Sequence, residues 1–387
     1  MSTPPTGGRA TTSGPSHCQR CLLPSDYVGV QLDASGICNR CDTWDDQVSH
    51  YTDYEHHQPL LTRRLDATRG RFHYDAAVGL SGGKDSTYVL HRMLHAYEAN
   101  VLAITLDNGF LTDYAWHNVA AIAAASGVDH VVYRPDWGAM RALYQAAIRT
   151  LADPCFACSV GGYILSVRGC NDLQLPRFIH GRSPMQMFRD LYPGTRDAGL
   201  GVLEANLTGY DEAKLRAYYR SLIRRIRLFL LYAVRSGRMR HRIRRELFGA
   251  GLSTAAVVPE FLAFFLYEPY DEERIKQLLE SNDSGYVRPD GDAVLGHGDC
   301  LIHDAADYLF QLKHGVPRVL PDVAAMVRQG SISAAEVPAI IAANTPTAEQ
   351  VETSIGCLLD RLEMPRSEFD KIVRRLKTRS PSRKRSA

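Results

Sequence analysis

The chain of 387 residues lacks any apolar run long enough to cross a bilayer. Its most apolar windows, residues 228–234 and 255–267, fall well short of the roughly 20 residues a membrane span needs, and Pro259 with Glu260 interrupts the second. No membrane partner is expected. An excess of charge of one sign is also missing: 45 Lys and Arg stand against 43 Asp and Glu, a formal net charge of +2. That excludes nucleic-acid binding through overall charge alone. Residues 1–17 are rich in Ser, Thr, Pro and Gly and hold no apolar stretch, so they read as a disordered lead-in rather than a secretory signal. Glycine and proline occur at ordinary levels and 45% of the residues are hydrophobic, which leaves a globular protein, cytoplasmic and of two or three domains.

Cysteine is present in an odd number, nine. Four of these form two Cys-x-x-Cys pairs within 24 residues, a pattern of metal or redox chemistry in a reducing compartment rather than of disulfides. Cys18 and Cys21 are separated from Cys38 and Cys41 by a 16-residue insert, the spacing of a zinc ribbon. Four thiolates leave no open coordination position, so the expected Zn2+ is structural.

The chain divides into a zinc-ribbon module at 18–45, a nucleotide-binding region at 46–190, a mostly helical region at 191–375 and a basic, disordered tail at 376–387. Within the second, residues 46–72 are polar and helical in pattern. Apolar runs at 75–80, 101–106, 130–133 and 177–180 then alternate with helical spacing at 86–97, 114–125 and 139–151. Such alternation with short connections predicts an α/β fold with a parallel sheet covered on both faces.

At the first strand-to-helix junction stands Ser81-Gly82-Gly83-Lys84-Asp85-Ser86. Two glycines let the backbone approach a ligand closely, and several N–H groups then converge at a helix N-terminus, where an anion binds. Lys84, Ser81 and Ser86 add a charge and hydroxyls to the same site. The hexapeptide resembles the signature of the PP-loop ATP pyrophosphatases, the adenine nucleotide α-hydrolase superfamily. That resemblance implies a PP-loop core that cleaves ATP between the α and β phosphates, transfers AMP to a substrate oxygen and holds pyrophosphate on residues 81–86, with Asp85 close to Mg2+. It also implies a nucleotide contact from Asp107 at the end of the second strand.

Cys155-Phe156-Ala157-Cys158 begins 71 residues after Lys84, just beyond Asp153-Pro154. One reading is a redox or sulfur-carrying pair, because a thiolate near a helix N-terminus has a lowered pKa. A second is an iron–sulfur cluster held by Cys155, Cys158 and Cys300. A third is plain packing of two cysteines one helical turn apart. Cys170 and Cys357, in apolar or helical surroundings, read as packing residues.

Taken in order, the four-cysteine module, Tyr74-Asp75 ahead of the loop, and Asp107-Asn108-Gly109-Phe110 resemble the N-acetyl sugar amidotransferases. So do His303, Asp307-Tyr308 and His314-Gly315 followed by Val327-Arg328 and Gly330 in the distal part. This resemblance implies ammonia from a separate glutaminase subunit, and no glutaminase domain is evident in the chain. The combination of zinc ribbon, PP-loop and a Cys-x-x-Cys about 70 residues later instead resembles the ATP-dependent enzymes that thiolate tRNA. Ammonia needs no protein thiol, whereas sulfur insertion does. The expected activity is therefore adenylation of a substrate oxygen and its replacement by sulfur, with a desulfurase or sulfur-carrier protein as donor. Amidation and a non-catalytic nucleotide-binding regulator are the alternatives.

The acceptor is a small molecule or an RNA. Arg182, in the loop after the fourth strand, sits where open α/β sheets bind ligands. His297 and His303 are candidates for acid–base or substrate contacts. Residues 214–245 hold twelve Lys or Arg among thirty-two, interleaved with aromatics, which fits either phosphate binding or a pair of amphipathic helices with solvated arginine faces. A homodimer stays open as the oligomeric state.

Overall fold

In a computed structural model of the chain the described residues are 16–44, 49–188, 212–249, 254, 256–281, 285–287 and 298–379. Most of the lead-in, His297 and residues 380–387 of the basic tail lie outside them. Five parallel strands form one sheet in the order β3-β2-β1-β4-β5: β1 (Ala76–Gly79), β2 (Val101–Leu106), β3 (Asp129–Tyr133), β4 (Arg177–His180) and β5 (Glu260–Ala263). Parallel neighbours need crossovers, and helices supply them. These are α1 (Tyr54–Asp66), ahead of the sheet, then α2 (Lys84–His95), α3 (Asp113–Ser126), α4 (Trp137–Leu151), α5 (Pro154–Asp172), α6 (Glu212–Ala233) and α7 (Gly237–Phe248). After β5 follow α8 (Glu272–Ser281), α9 (His303–His314), α10 (Leu320–Gln329), α11 (Ala348–Leu362) and α12 (Arg366–Arg379).

Local chemistry starts several of these helices. Thr112 accepts from Ala115 N ahead of α3, and Asp136 from Gly138 N and Ala139 N ahead of α4. Asp153 accepts from Phe156 N, with Pro154 in the first turn of α5. Side-chain alternation then sorts the strands. Ala76, Val78, Val101 and Ala103 face a core completed by α1, α2, α3 and α8; Ala77, Leu102, Ile104 and Phe178 face the opposite side with Cys170 and Leu175. A third core joins α4 to α7 with α9, α11 and α12, and a fourth packs the cysteine module onto Val316, Leu320, Val323, Ala324 and Val337.

The parallel α/β sheet agrees with the sequence pattern, and two details go beyond it. Strand β5 falls in the region read as mostly helical, so the C-terminal half adds an edge to the sheet. It is a four-residue apolar strand that opens on a glutamate, a residue almost never fully buried unless paired. Glu260, 7% exposed, receives Arg177 Nε at 2.9 Å and stands 3.6 Å from Arg64 Nη1. Helix α12 runs to Arg379, so Lys377 and Arg379, read as tail, are helical.

Glu260→Gln would leave two buried guanidinium groups without their carboxylate. Breaking one side of a buried pair costs about 3–5 kcal/mol, and urea denaturation followed by circular dichroism should show a loss of that size.

Candidate active site

Strand order reverses at β1, which lies between β2 and β4, and a cleft of about 530 Å³ opens at the carboxyl ends of these strands. Its floor is the loop that leaves β1. Gly82 has φ +81°, and a Cβ there would stand 2.3 Å from Ala115 O, so only glycine fits. Asn118 Nδ2 donates to Gly82 O at 2.9 Å, while Ser86 Oγ and Thr87 Oγ1 each donate to Gly83 O at 2.9 Å. Ser81 N donates to Ser86 Oγ at 3.1 Å. Helix α2 starts after Gly83 with no side-chain cap, so its first N–H groups face the cleft rather than a protein acceptor.

Lys84 Nζ donates to Asp85 Oδ1 at 2.9 Å and to Tyr270 Oη at 2.8 Å, with Glu272 Oε1 at 3.9 Å. Burial works against its charge, but Asp85, Tyr270 and Glu272 outweigh it and raise its pKa. Lys84 is therefore a fixed cation at the loop. Ser81, Gly83, Lys84, Asp85 and Ser86 all line the cleft, and Gly82 shapes the turn behind them.

Arg182 also lines the cleft. Its Nη1 donates to Tyr163 Oη at 2.6 Å and its Nη2 to Gln186 O at 3.2 Å. Asp107 is turned elsewhere: it accepts from Gly109 N at 3.0 Å and pairs with Arg134 at 3.5 Å, outside the lining residues. Its neighbour Asn108 lines the cleft instead; the two make successive Asx turns, Asp107 accepting from Gly109 N and Asn108 from Phe110 N at 2.8 Å.

Cys155 stands in the first turn of α5, where a helix dipole favours a thiolate, and Cys158 follows one turn further in. Cys158 lines the same cleft as the phosphate loop and receives Asn108 Nδ2 at 3.4 Å; Tyr144 Oη donates to Asn108 O at 3.2 Å. Burial pushes the Cys158 thiol up to about 11, with Cys155 beside it adding to the effect. Cys300 reaches this neighbourhood through backbone pairing. Leu111 and Cys300 form an antiparallel bridge, Leu301 N donates to Phe110 O at 2.9 Å and Thr112 N to Asp299 O at 3.1 Å. Burial raises the Cys300 thiol, with Cys158 and Cys155 raising it further; Cys300, like Cys155, is not among the residues that line the cleft.

Sequence reasoning missed Asp299, Asn108, Tyr270 and Glu272 as site residues. Asp299 lines the cleft, and its Oδ2 lies 3.9 Å from where a Cβ on Gly83 would stand. Burial raises its pKa. Only its place beside Cys300 hinted at it. His303 begins α9 and pairs with Asp307 at 3.4 Å instead of lining the cleft. Cys170 is buried under the sheet and Cys357 packs in the helical core. The basic stretch is the two helices α6 and α7, with Arg220, Arg224, Arg227, Arg240 and Arg244 along a groove and Leu228, Leu231 and Tyr232 exposed.

In the cysteine module the four sulfurs lie within 4.8 Å of one another and are buried. Cys18 to Cys41 is 3.7 Å and Cys21 to Cys38 3.6 Å, close to the roughly 3.8 Å edge of a tetrahedron with 2.3 Å metal–sulfur bonds. Geometry and donor set both fit Zn2+. Among the described residues this is the one compact group of potential metal ligands, and no described helix is long and apolar enough to cross a membrane.

No protein-family model and no curated protein matches the chain. Among solved structures it is similar to the U34-tRNA thiolase NcsA from Methanococcus maripaludis with its 4Fe–4S cluster, at 16% identity over 82% of this chain and 86% of that chain, with a TM-score of 0.34.

Two outcomes are expected. Gly82→Ala, which sets a Cβ against Ala115 O, should destabilise the fold by about 1–3 kcal/mol, and Gly127→Ala, at a similar φ of +64° but with open space around it, by less; urea denaturation compares them. His180 accepts Arg182 N at Nδ1, and burial lowers its pKa from 6.5 to about 3. The unfolded chain then binds a proton that the folded chain refuses, so the stability this residue contributes is full above pH 6.5 and is lost as pH falls toward about 3. The melting temperature of His180→Gln should accordingly fall less between pH 7 and pH 4 than that of the unaltered chain.

Proposed function

We propose that this chain is an ATP-dependent, AMP- and pyrophosphate-forming sulfurtransferase. The observation that carries the reading is that Cys158, in a Cys-x-x-Cys at a helix start, opens onto the same cleft as a complete phosphate loop. The backbone of residues 81–86 and Lys84 would hold the two phosphates that leave as pyrophosphate. Asp85 would hold the Mg2+ that neutralises them. A substrate carbonyl or amide oxygen attacks the α-phosphorus, and its adenylated form turns a poor leaving group into AMP. The outer sulfur of a Cys158 persulfide then attacks the carbon that bears this oxygen and AMP departs with the carbon–oxygen electron pair; the Cys155 thiolate attacks the Cys158 sulfur, which frees the carbon-bound sulfur as product and leaves a Cys155–Cys158 disulfide for a thiol reductant to reopen. Arg182 and Asp299, on either side of the cleft, would contact substrate or phosphate. Zn2+ on Cys18, Cys21, Cys38 and Cys41 would hold the N-terminal module in shape and take no part in the reaction.

The acceptor, small molecule or RNA, and the donor, a desulfurase or a sulfur-carrier protein, follow from the same reading. Pyrophosphate release with an acceptor would dismiss a purely regulatory role. Cys155→Ser and Cys158→Ser should each lower sulfur incorporation, measured by mass spectrometry of the product, by at least about a hundredfold while ATP binding persists. Product that forms at an unchanged rate in both variants would favour amidation with glutamine-derived ammonia. Metal analysis after anaerobic purification should give about one zinc per chain. Iron that depends on Cys155, Cys158 and Cys300 would replace direct carriage on the pair by a cluster.

A further inference from the structure

Helix α6 is apolar on both sides. Its inner side buries Tyr219, Ile223, Ile226 and Leu230 in one core with Ile243, Leu247 and Phe248 of α7. Its outer side carries Leu228, Leu231 and Tyr232, exposed by 57%, 63% and 82%, the three most exposed large apolar side chains among the described residues. Most of their surface thus takes no part in the packing of the chain. Arginines surround them. Arg220, Arg224, Arg227, Arg240 and Arg244 line a groove together with Leu228 and Leu231, while Arg235 and Arg238, at the turn into α7, are exposed. Residues 214–245 hold twelve Lys or Arg and no Asp or Glu. Arg216 and Arg242 pair with Glu212 and Asp136; among the described residues Arg224, Arg225, Arg227, Arg235, Arg238 and Arg244 meet no carboxylate. The turn between the helices is braced, since Arg240 Nη1 donates to Val234 O at 2.7 Å and to Arg235 O at 2.9 Å, and Ser236 caps α7. An apolar patch on a fixed and wholly cationic hairpin is a contact surface.

Charge and apolar surface together select the partner. A second copy of the hairpin would set arginines against arginines. An RNA would meet the cations yet leave Leu228 and Leu231 facing water, since bases stack on aromatic rings and guanidinium planes rather than on leucines. A bilayer with anionic headgroups offers phosphates and, just beneath them, hydrocarbon. No described helix is long and apolar enough to cross a membrane, and a surface contact needs none. We propose that the α6–α7 hairpin docks the chain on an anionic bilayer, with Leu228, Leu231 and Tyr232 among the first acyl carbons and the surrounding arginines on lipid phosphates. A tyrosine at that depth keeps its ring in the apolar layer and its hydroxyl among the headgroups. Helix α6 belongs to the body that carries the cysteine pair, as Phe229 packs on Phe156 with ring centroids 4.7 Å apart. Docking would therefore hold that body itself at the surface. The inference stands apart from the sulfur-transfer reading.

The test is co-sedimentation of the purified full chain with vesicles of phosphatidylcholine alone and of phosphatidylcholine mixed with phosphatidylglycerol. Partitioning should be at least about tenfold stronger on the anionic vesicles and should weaken as salt rises. Arg224→Gln combined with Arg227→Gln should lower it by about tenfold, and Leu228→Ser combined with Leu231→Ser by about tenfold as well. All four side chains are exposed, so circular dichroism of both variants should match that of the unaltered chain. If either misfolds, Tyr232→Trp decides: its emission should shift to the blue on anionic vesicles and stay unshifted on neutral ones. Cys158→Ser should sediment like the unaltered chain, which separates this outcome from any failure of sulfur transfer. Equal partitioning on the two kinds of vesicle, or tryptophan emission that anionic vesicles leave unshifted, would overturn the proposal. Serine variants that bind vesicles as well as the unaltered chain, beside glutamine variants that lose both vesicles and a single-stranded oligouridylate, would assign the patch to RNA instead.

Discussion

The buried pairing of Arg177 with Glu260 decides where the C-terminal half of the chain can go. It joins the first residues of β4 and β5, and Arg177 also donates to the carbonyls of Asp75 and Arg64, so one guanidinium ties β1, α1, β4 and β5 at the amino end of the sheet. With β5 in register, the chain leaves the sheet through Phe264, Phe265 and Leu266, all fully buried. It then delivers Tyr270 and Glu272 to Lys84. The phosphate loop belongs to the first quarter of the sequence, yet its lysine is positioned by residues nearly two hundred places later. A single charged pair at one end of a strand thus sets the electrostatics at the other.

A second junction completes the cleft from the opposite side. The turn at 110–112 pairs with 299–301 through backbone hydrogen bonds that any residue types can make. It sets Asp299 and Cys300 beside Cys158, with α5 beneath. The cleft therefore has two walls of different origin: the carboxyl ends of β1, β2 and β4 carry the glycine-rich loop, and the C-terminal half carries Glu272 and Asp299. The glycine-rich loop and Cys158 thus open onto the same space.

Much of this was legible in the amino-acid order, and what was not had physical causes. Strands β1 to β4 appear as apolar runs because both faces of a parallel sheet are covered, and the loop and the two cysteine knuckles announce themselves by spacing. Strand β5 was hidden because it is short and opens on a glutamate whose partners lie 83 and 196 positions earlier. That Asn108 rather than Asp107 lines the cleft depends on how two successive Asx turns orient their side chains, a detail no periodicity encodes. Asp299 sits in a segment without regular pattern. Its place follows from the distant backbone it meets, Thr112 N, and a single sequence holds no record of that.

The cysteine module shows how far such dependence reaches. Leu23, Tyr27 and Val30 form its apolar side, and they are covered by Val316, Leu320, Val323, Ala324 and Val337, with Arg20 donating to Arg328 O at 3.1 Å. During synthesis the first knuckles emerge from the ribosome hundreds of residues before their cover does. At about 5–20 residues per second the module waits many seconds with an oily side open, and its own four sulfurs are the one local means of keeping it in shape. Capture of a metal ion by these sulfurs would thus be an early event in the life of the chain, and docking onto α10 a late one, so shortage of the metal would be felt first as misassembly of nascent chains.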